Sequence, residues 1–279
     1  MTTTLRPTGP LQQGADGAKA RSYEVCVNSR PVGAVDLRTD PAFGPVGGVI
    51  GGLRIDEPDR GRGRGTVAAL AAEEVLRGWG CDRVRIGIPA DATAALRMAD
   101  ALGYTLLNSH LLKELPGQPP ELPSGVAGRR MREDEFPAWL AAAVDGYARS
   151  WTERGMPEAR ARAKSEADHR ENLPDGPVTP GVALDVLVEG GRVVGYVWVA
   201  EIELDPGRRG AFVFDVEVAG EHRGRGHGRS LMLLAEREAL AAGARLIKLN
   251  VFAANTPAVR LYASLGYREV ERFYAKRLL

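Results

Sequence analysis

One glycine-rich motif occurs twice in this chain, and the two copies are 163 residues apart. The first copy reads Arg60-Gly61-Arg62-Gly63-Arg64-Gly65 and the second reads Arg223-Gly224-Arg225-Gly226-His227-Gly228. An Ala/Leu-rich stretch typical of a helix follows each copy, and then a Leu-Gly-Tyr at residues 102–104 and 265–267, again 163 residues apart. A register without gaps over this length predicts two related units, each with a glycine loop that opens a helix.

A glycine loop before a helix is a device for holding phosphate, because backbone N–H groups point outward and the helix dipole adds positive charge. Alone it is nonspecific, since dinucleotide-binding folds, kinases and RNA-binding Arg-Gly tails contain similar loops. Each copy here lies between a strand and a helix without interleaved aromatics, which argues against a disordered tail. A dinucleotide fold needs an acid after the next strand, but that strand ends at Val251-Phe252-Ala253-Ala254-Asn255. A loop for the pyrophosphate of coenzyme A is a third interpretation.

Composition narrows the possible partners. The 279-residue chain has a net charge of +1, which gives no global attraction to nucleic acid or to an anionic membrane. Its longest apolar runs, such as Val193–Val199, have the length of a strand. Cys26 and Cys81 form no CxxC pair, and the four histidines have no metal-ligand spacing. We therefore expect a cytoplasmic protein with no metal and no nucleic-acid or membrane partner.

The predicted elements divide the chain into four segments. Residues 1–20 are polar and are expected to form a flexible N-terminus. Residues 21–115 are predicted to form the first unit, in the order β-β-β-loop-α-β-α-β. A Pro/Gly-rich linker covers residues 116–128. Residues 129–279 are predicted to form the second unit, in the order α-α-β-β-β-loop-α-β-α-β, so the first unit is truncated by two leading helices.

A second motif follows the second glycine loop at a definite distance. It consists of Asn255, Leu261-Tyr262 and Gly266-Tyr267. Together with Arg223–Gly228, it resembles the signatures of the GNAT superfamily of acyl-CoA-dependent N-acyltransferases, over roughly residues 129–279. The resemblance implies an α+β (mixed α/β) fold of two tandem GNAT-like units. Each is expected to have a mixed, mostly antiparallel sheet flanked by helices. The two would face each other as an intramolecular pseudo-dimer, in a chain that is a monomer or a homodimer.

The resemblance also implies roles for individual residues. Tyr262 would donate a proton to the leaving thiolate, and a backbone N–H of the strand before the loop would polarise the thioester carbonyl. Some of these residues have plainer interpretations: Arg229 as a solvated charge, Asn255 as a helix N-cap and Tyr262 as a core aromatic residue. The residues implied to hold acetyl-CoA are Val216, Glu217, Val218, Arg223, Gly224, Arg225, Gly226, His227, Gly228, Arg229, Asn255 and Tyr262.

The general base is missing from its usual place. Many family members carry Glu eleven residues before the Arg of the loop, and Phe212 stands at that position here. Asp215 and Glu217 lie on one face of the same predicted strand, because side chains alternate with a period of two. They are the catalytic candidates beside Tyr262, and polar contacts away from the acyl group are the alternative interpretation. Glu201 and Glu203 are weaker candidates.

The first unit lacks the chemistry of the second. At the same offset, Ala99 replaces Tyr262 and Ala92 replaces Asn255. We therefore predict that the first unit is degenerate and inactive. The residues of its possible vestigial CoA loop are Arg60, Gly61, Gly63 and Gly65, and a purely structural unit is the alternative.

The expected function is an acetyl-CoA-dependent N-acetyltransferase that acts on the primary amine of a small molecule by direct attack in a ternary complex. A peptide or protein N-acetyltransferase and a non-catalytic acyl-CoA-binding sensor are the alternatives that the sequence leaves open.

Overall fold

A computed structural model describes residues 2–40 and 44–278 of the chain. The chain divides into two compact units. Unit 1 comprises Met1–Ser109, Phe252–Ala254 and Glu269–Leu279, and unit 2 comprises His110–Val251 and Asn255–Arg268.

Unit 1 is a mixed sheet with two helices. Its strands follow the order β1-β3-β4-β5-β6-β13-β7, with β2 beside β3, and the β5–β6 pair is parallel. Residues 105–109 of β7 belong here. The elements are β1 (Thr3–Pro7), β2 (Gln12–Gln13), β3 (Lys19–Val27), β4 (Arg30–Asp40), β5 (Gly44–Ile55), α1 (Arg64–Gly78), β6 (Arg83–Pro89), α2 (Thr93–Ala101), β7 (Thr105–Glu114) and β13 (Arg268–Arg277).

Unit 2 repeats this layout with two additional helices. Its strand order is β7-β12-β11-β10-β9-β8, with β7 represented by residues 110–114. The β11–β12 pair is parallel, whereas β8–β9, β9–β10 and β10–β11 are antiparallel. The elements are β8 (Val126–Arg130), α3 (Phe136–Thr152), α4 (Glu158–Asn172), β9 (Val182–Glu189), β10 (Arg192–Asp205), β11 (Arg208–Val218), α5 (His227–Ala241), β12 (Leu246–Phe252) and α6 (Thr256–Ser264).

The repeat predicted from the sequence extends through the structure. The helices α1 and α5 begin at Arg64 and His227, and α2 and α6 begin at Thr93 and Thr256, each pair 163 residues apart. Before β3, residues 2–18 contain strand segments and no helix, so unit 1 has no counterpart of α3 and α4. This confirms the tandem fold with a truncated first unit. Each unit has its own apolar core, which the repeated helices cover with one face.

The N-terminus differs from the expected flexible segment of residues 1–20. Thr3–Pro7 forms an edge strand whose five residues pair with β3, from Thr3↔Val27 to Pro7↔Tyr23. Leu5 packs against the core of unit 1, which explains why a mostly polar segment is ordered. The predicted linker is also shorter, because Val126 already begins β8.

The strand β13 lies almost entirely outside the unit that precedes it in the sequence, and β7 is divided between the two units. β13 follows α6, but its residues Glu271–Arg277 pair with β6 in unit 1. The predicted segments 21–115 and 129–279 assign β13 to the second unit, so the structure differs from them here.

An equivalent ion pair in each unit joins a strand to a helix, β13 to α1 in unit 1 and β7 to α5 in unit 2. Lys276 Nζ of β13 lies 2.8 and 3.1 Å from the carboxylate oxygens of Glu73 on α1. Lys113 Nζ of β7 lies 2.6 Å from Glu236 Oε1 on α5. The two lysines are 163 residues apart, as are the two glutamates. Each nearly inaccessible carboxylate is therefore paired with a lysine from the other half of the sequence.

Candidate active site

The second glycine loop connects β11 to α5 in unit 2. A short 3-10 turn, Gly220–His222, precedes it. Gly224 and Gly226 have φ angles of 77° and 88°, in the left-handed region that glycine adopts without strain. A Cβ atom at either position would meet no atom within 4 Å, so the space beside the loop is open.

The loop and the first turn of α5 present unpaired N–H groups. The N–H groups of Arg229 and Ser230 donate back to the carbonyl of Gly226, at 3.0 and 3.2 Å. Within residues 2–40 and 44–278, the backbone N–H groups of residues 224–228 donate to no acceptor. They lie at the positive end of the helix dipole, so the loop fits the pyrophosphate of a CoA ester.

The charged side chains around this loop are mostly tied to neighbouring groups. Arg223 Nε donates to the carbonyl of Val218 at 3.0 Å, and its Nη2 lies 3.4 Å from Glu217 Oε1. Arg229 Nη2 donates to Ser264 Oγ of α6 at 2.5 Å. His227 is 3% exposed and lies 3.6 Å from Glu189 Oε2. Its side chain is therefore part of the interior, and its backbone N–H is what it contributes to the loop.

The strands β11 and β12 pair over only part of their length. The parallel register covers Ala211↔Ile247 to Val213↔Leu249, whereas β11 continues to Val218. A β-bulge shifts the β10–β11 register between Trp198 and Val199, which leaves Phe214 as the extra residue on β11. The strand segment that leads to the loop is thus separated from β12, which opens an edge of β11 to a ligand.

Two carboxylates and a phenol lie together on this segment. Tyr196 of β10 is directly opposite Glu217. Its hydroxyl lies 2.8 Å from Asp215 Oδ2 and 3.1 Å from Glu217 Oε2. The other oxygen of Asp215, Oδ1, accepts the N–H of Val216 at 2.8 Å. The arrangement fixes Asp215 and leaves Glu217 more exposed.

The surroundings change the acidity of this cluster. Burial raises the pKa of Asp215, and the nearby charge of Glu217 adds to the effect, while the hydrogen bonds from Tyr196 and Val216 oppose it. Burial and the two carboxylates also raise the pKa of Tyr196. Asp215 is therefore a stronger base than an exposed aspartate, which is the property that general-base catalysis requires.

An aromatic wall borders the cluster. We use this term for Trp139, His169, Tyr196, Trp198 and Phe214. The rings of Trp198 and Phe214 stack at 4.8 Å, and Trp139 lies 5.6 Å from Tyr196 in an edge-to-face contact. His169 Nδ1 lies 2.8 Å from the carbonyl of Ser165, so we assign the proton to Nδ1 and the lone pair to Nε2.

Tyr262 lies in the core of unit 2 with 6% of its surface exposed. Burial, with a contribution from the charge of Asp215, raises its pKa to about 12. Asn255 caps α6, because its Oδ1 accepts the N–H of Ala258 at 3.3 Å. Phe212 packs against Phe214 at 5.1 Å between ring centres, so an aromatic ring occupies the position at which a Glu base was sought.

Comparison with known proteins assigns the family. Residues 5–104 and 136–267 match the model of the Acetyltransferase (GNAT) family. The chain belongs to the GNAT family. Mycothiol acetyltransferase of Saccharomonospora viridis is 30% identical over an alignment of length 286, gaps included, that covers 96% of this chain and 86% of that protein.

Two solved structures share the fold. A GCN5-related N-acetyltransferase from Sphaerobacter thermophilus has a TM-score of 0.61 at 21% identity, covering 92% of this chain and 80% of that one. A tandem GNAT protein from the clavulanic acid biosynthesis pathway has a TM-score of 0.53 at 20% identity, covering 96% and 85%. Together with the family match, these similarities support an N-acetyltransferase with two tandem GNAT units.

The sequence prediction missed part of the site. Asp215 and Glu217 do lie together, but Tyr196, which contacts both, was not a candidate. The turn between β10 and β11 pairs Asp205 with Arg208, and counting back from that pair places Tyr196 opposite Glu217 only because two register shifts along the hairpin cancel. His169 was missed because its helix is strongly polar. The two weaker candidates for the general base contact other groups. Glu201 accepts a hydrogen bond from Arg209, and Glu203 accepts one from the backbone N–H of Gly207.

Unit 1 keeps the glycine loop but has alanines at the positions of Tyr262 and Asn255. Gly61 and Gly63 have φ angles of 72° and 71°, as in the second loop. Ala99 is fully buried where unit 2 has Tyr262, and Ala92 provides no side-chain cap for α2. In the part of the chain that the structure describes, no group of three or more His, Cys, Asp or Glu side chains is placed to hold a metal ion. Nor does any described helix have the length and apolarity to cross a membrane.

Proposed function

We propose that unit 2 transfers the acetyl group of acetyl-CoA to the primary amine of a small cationic molecule, by direct attack of the amine on the thioester. The observation that carries this proposal is the cluster of Tyr196, Asp215 and Glu217 on the strand that leads into the glycine loop. It combines a base for an ammonium with a cradle for a CoA pyrophosphate in one unit.

The fit to acetyl-CoA rests on the open space and the unpaired N–H groups at residues 224–228. These groups would hold the pyrophosphate, and the unpaired edge of β11 would hold the pantetheine amides. Arg223, Arg225 and Arg229 add positive charge near the loop. When bound, acetyl-CoA supplies the activated acyl group, and the residues of unit 2 move the protons.

The acceptor side of the site favours a cation. Asp215 and Glu217 attract an ammonium group, and the partly exposed rings of Tyr196 and Phe214 lie beside them. Asp215 accepts the proton of the ammonium, since its raised pKa makes the carboxylate a stronger base than an exposed aspartate. The free amine is then placed for attack.

Proton uptake by Asp215 has two further effects. A neutral carboxyl is a weaker acceptor, so the N–H of Val216 becomes available to polarise the thioester carbonyl. The charge of Asp215 is also one of the two causes that raise the pKa of Tyr262 to about 12. A phenol of that pKa is about 4–5 kcal/mol too weak an acid to protonate a thiolate of ordinary pKa. Neutralising Asp215 reduces this deficit at the moment when the thiolate forms.

The acceptor differs from family members that use the usual Glu, because Phe212 occupies that position. The relative from Saccharomonospora viridis is named for mycothiol acetylation. We propose an acceptor of the same general class, a small molecule with a primary amine, and its own acceptor belongs in any substrate panel.

The test is release of free thiol from acetyl-CoA with a panel of small amines and peptides. Tyr262→Phe and Asp215→Asn are each expected to lower kcat/KM by about 100-fold or more while acetyl-CoA binding is retained. Tyr23→Phe serves as the matched control, because it removes the hydroxyl of a buried tyrosine in unit 1. It is expected to keep full activity.

The outcomes separate the alternatives. Unchanged turnover in both site variants refutes the assigned roles. Thiol release with peptide N-termini and with no small amine refutes the small-molecule acceptor. Tight binding of CoA without transfer to any acceptor refutes the enzyme and supports a sensor.

A further inference from the structure

Tyr196 lies between two carboxyl groups on the part of β11 that leads to the second glycine loop. Its Oη is 2.8 Å from Asp215 Oδ2 and 3.1 Å from Glu217 Oε2. A hydroxyl group has a single proton to donate and two lone pairs that accept. Tyr196 can therefore donate to one carboxyl group while it accepts from the other, but it cannot donate to both at once.

The two carboxyl groups differ in their access to solvent. Asp215 is partly buried, and both of its oxygens have hydrogen-bond partners, the N–H of Val216 for Oδ1 and the hydroxyl of Tyr196 for Oδ2. The side chain of Glu217 is 52% exposed. Its Oε1 lies 3.4 Å from Arg223, and its Oε2 faces Tyr196. The phenol oxygen thus connects Asp215 to a carboxylate that water reaches.

The packing of the Tyr196 ring holds its hydroxyl in this position. Tyr196 is directly opposite Glu217 in the β10–β11 register. Trp139 of α3 contacts the ring edge-to-face, at 5.6 Å between ring centres. Burial and the two carboxylates raise the pKa of Tyr196, so the phenol stays protonated. A proton that passes through it must therefore arrive at Oη as the hydroxyl proton leaves.

Unit 1 lacks all three of these groups. The residues at the offset of 163 are two glycines and an arginine, Gly33, Gly52 and Arg54. The unit that is predicted to be inactive thus has neither the phenol nor either carboxylate. This is the expected pattern if the three side chains of unit 2 act together in the transfer.

Acetyl transfer to an ammonium group yields a net proton in each turnover. Two N–H bonds of the ammonium break as the amide forms, whereas a single S–H bond forms on the leaving thiolate. In the function proposed above, Asp215 takes the first of these protons. The second replaces the proton that Tyr262 gives to the thiolate. Asp215 must then lose its proton before it can act on the next ammonium.

We propose that Tyr196 relays this proton from Asp215 to Glu217, from which it passes to water. The O–H bond at Asp215 Oδ2 breaks as a new O–H bond forms at Tyr196 Oη, and the original hydroxyl proton moves to Glu217 Oε2. Tyr196 is neutral before and after the step, and Asp215 is a carboxylate again. The proposal rests on Asp215 as the general base of unit 2 and adds the route by which that base is reset.

Tyr196→Phe removes the hydroxyl and keeps the ring. Because the relay acts after acetyl transfer, kcat is expected to fall about 100-fold while kcat/KM for the amine changes little, since kcat/KM reports the steps up to transfer. Added imidazole, a small base that takes the proton directly from Asp215, is expected to restore kcat in the variant and to leave the wild type unchanged. Glu217→Gln should also lower kcat and respond to imidazole. Tyr23→Phe is the control and should show neither effect.

Thiol release is measured with the primary amine of the panel that gives the fastest release. The hydrogen bond from Tyr196 lowers the pKa of Asp215, so its loss raises that pKa. The comparison is therefore made on the high-pH plateau of kcat/KM, where Asp215 is deprotonated in both proteins. The other charged and titratable groups around this path stay the same in Tyr196→Phe, and they are Glu217, Arg223, His169 of α4 and Tyr262 of α6.

The outcomes separate the relay from the general base. Wild-type kcat in Tyr196→Phe overturns the relay. An equal fall in kcat and kcat/KM without a response to imidazole also overturns it, because Tyr196 would then only orient Asp215. In both cases an inactive Asp215→Asn leaves the general base in place. Full activity of Asp215→Asn, or no thiol release with any amine, removes the general base and the relay together.

Discussion

Replacing Lys276 by methionine removes the ammonium that neutralises the buried carboxylate of Glu73. Glu73 is 3% exposed, and its partners are Lys276 Nζ at 2.8 and 3.1 Å and the hydroxyl of Tyr104 at 2.9 Å. Methionine keeps most of the aliphatic stem, so the change is mainly one of charge. Breaking a buried pair by removing one partner typically costs about 3–5 kcal/mol.

Among the residues that the structure describes, the carboxylate of Glu73 would then keep only the hydroxyl of Tyr104 as its partner. We therefore expect Lys276→Met to lose about 3–5 kcal/mol of unfolding free energy.

Urea denaturation of the whole chain measures the effect. Adding Glu73→Gln to Lys276→Met removes the stranded charge and should recover most of the loss. Lys113→Met, the equivalent change beside Glu236, should lose a similar amount. An equal loss in Lys276→Met and in the double variant refutes the electrostatic argument and indicates lost packing instead.

Three other variants test separate features. The pKa of Asp215 is raised and its deprotonated form is the active one, so kcat/KM should rise with pH through that pKa. Asp215→Asn should lose this rise. A pH profile that is the same in the variant argues against Asp215 as the general base. Burial raises the pKa of Asp185 to about 6, above the ordinary aspartate value of 3.8. Asp185 therefore contributes about 3 kcal/mol to the free energy of unfolding below pH 3.8, and this contribution is lost as the pH rises through 6. Denaturation between pH 4 and pH 8 should show this decline in the wild type and not in Asp185→Asn; identical pH dependence contradicts it. Asn255→Ala removes the cap of α6 and should cost about 1 kcal/mol, seen as a lower Tm, whereas no change in Tm would show that the cap contributes nothing.

The loops were predictable because their causes are local. Glycines at alternate positions before an Ala/Leu-rich stretch predict a left-handed turn into a helix, and Gly61, Gly63, Gly224 and Gly226 have the required φ angles. The constant spacing then predicted the order of the elements in both halves. Each of these inferences uses residues that are neighbours in the sequence.

The partner of the last strand was not predictable in this way. Local pattern indicates that residues 268–277 form a strand, but not which strand lies beside it. The repeat makes the ambiguity worse, since Lys113 and Lys276 are equally suitable partners for Glu73 or Glu236. Only the tertiary structure shows that Lys276 pairs with Glu73 and Lys113 with Glu236.

The site in unit 2 was predictable in part, for a related reason. Alternation along β11 placed Asp215 and Glu217 on one face without any knowledge of the neighbouring strands. Tyr196 joins them through the register of β10 against β11, and the bulge at Phe214 alters that register along the hairpin. His169 reaches the aromatic wall from α4, a helix whose polar composition gave no sign of a buried face.

The position of β13 has a consequence for the order in which a ribosome makes this protein. The strand that pairs with β6 of unit 1 is synthesised after α6 of unit 2. Unit 1 emerges before unit 2 and must wait, with one side of β6 unpaired and the carboxylate of Glu73 without its lysine, until α6 has been translated. A stop codon shortly before residue 268 would therefore damage the half of the protein that was made earliest, although it leaves Asp215, Glu217 and Tyr262 in the product.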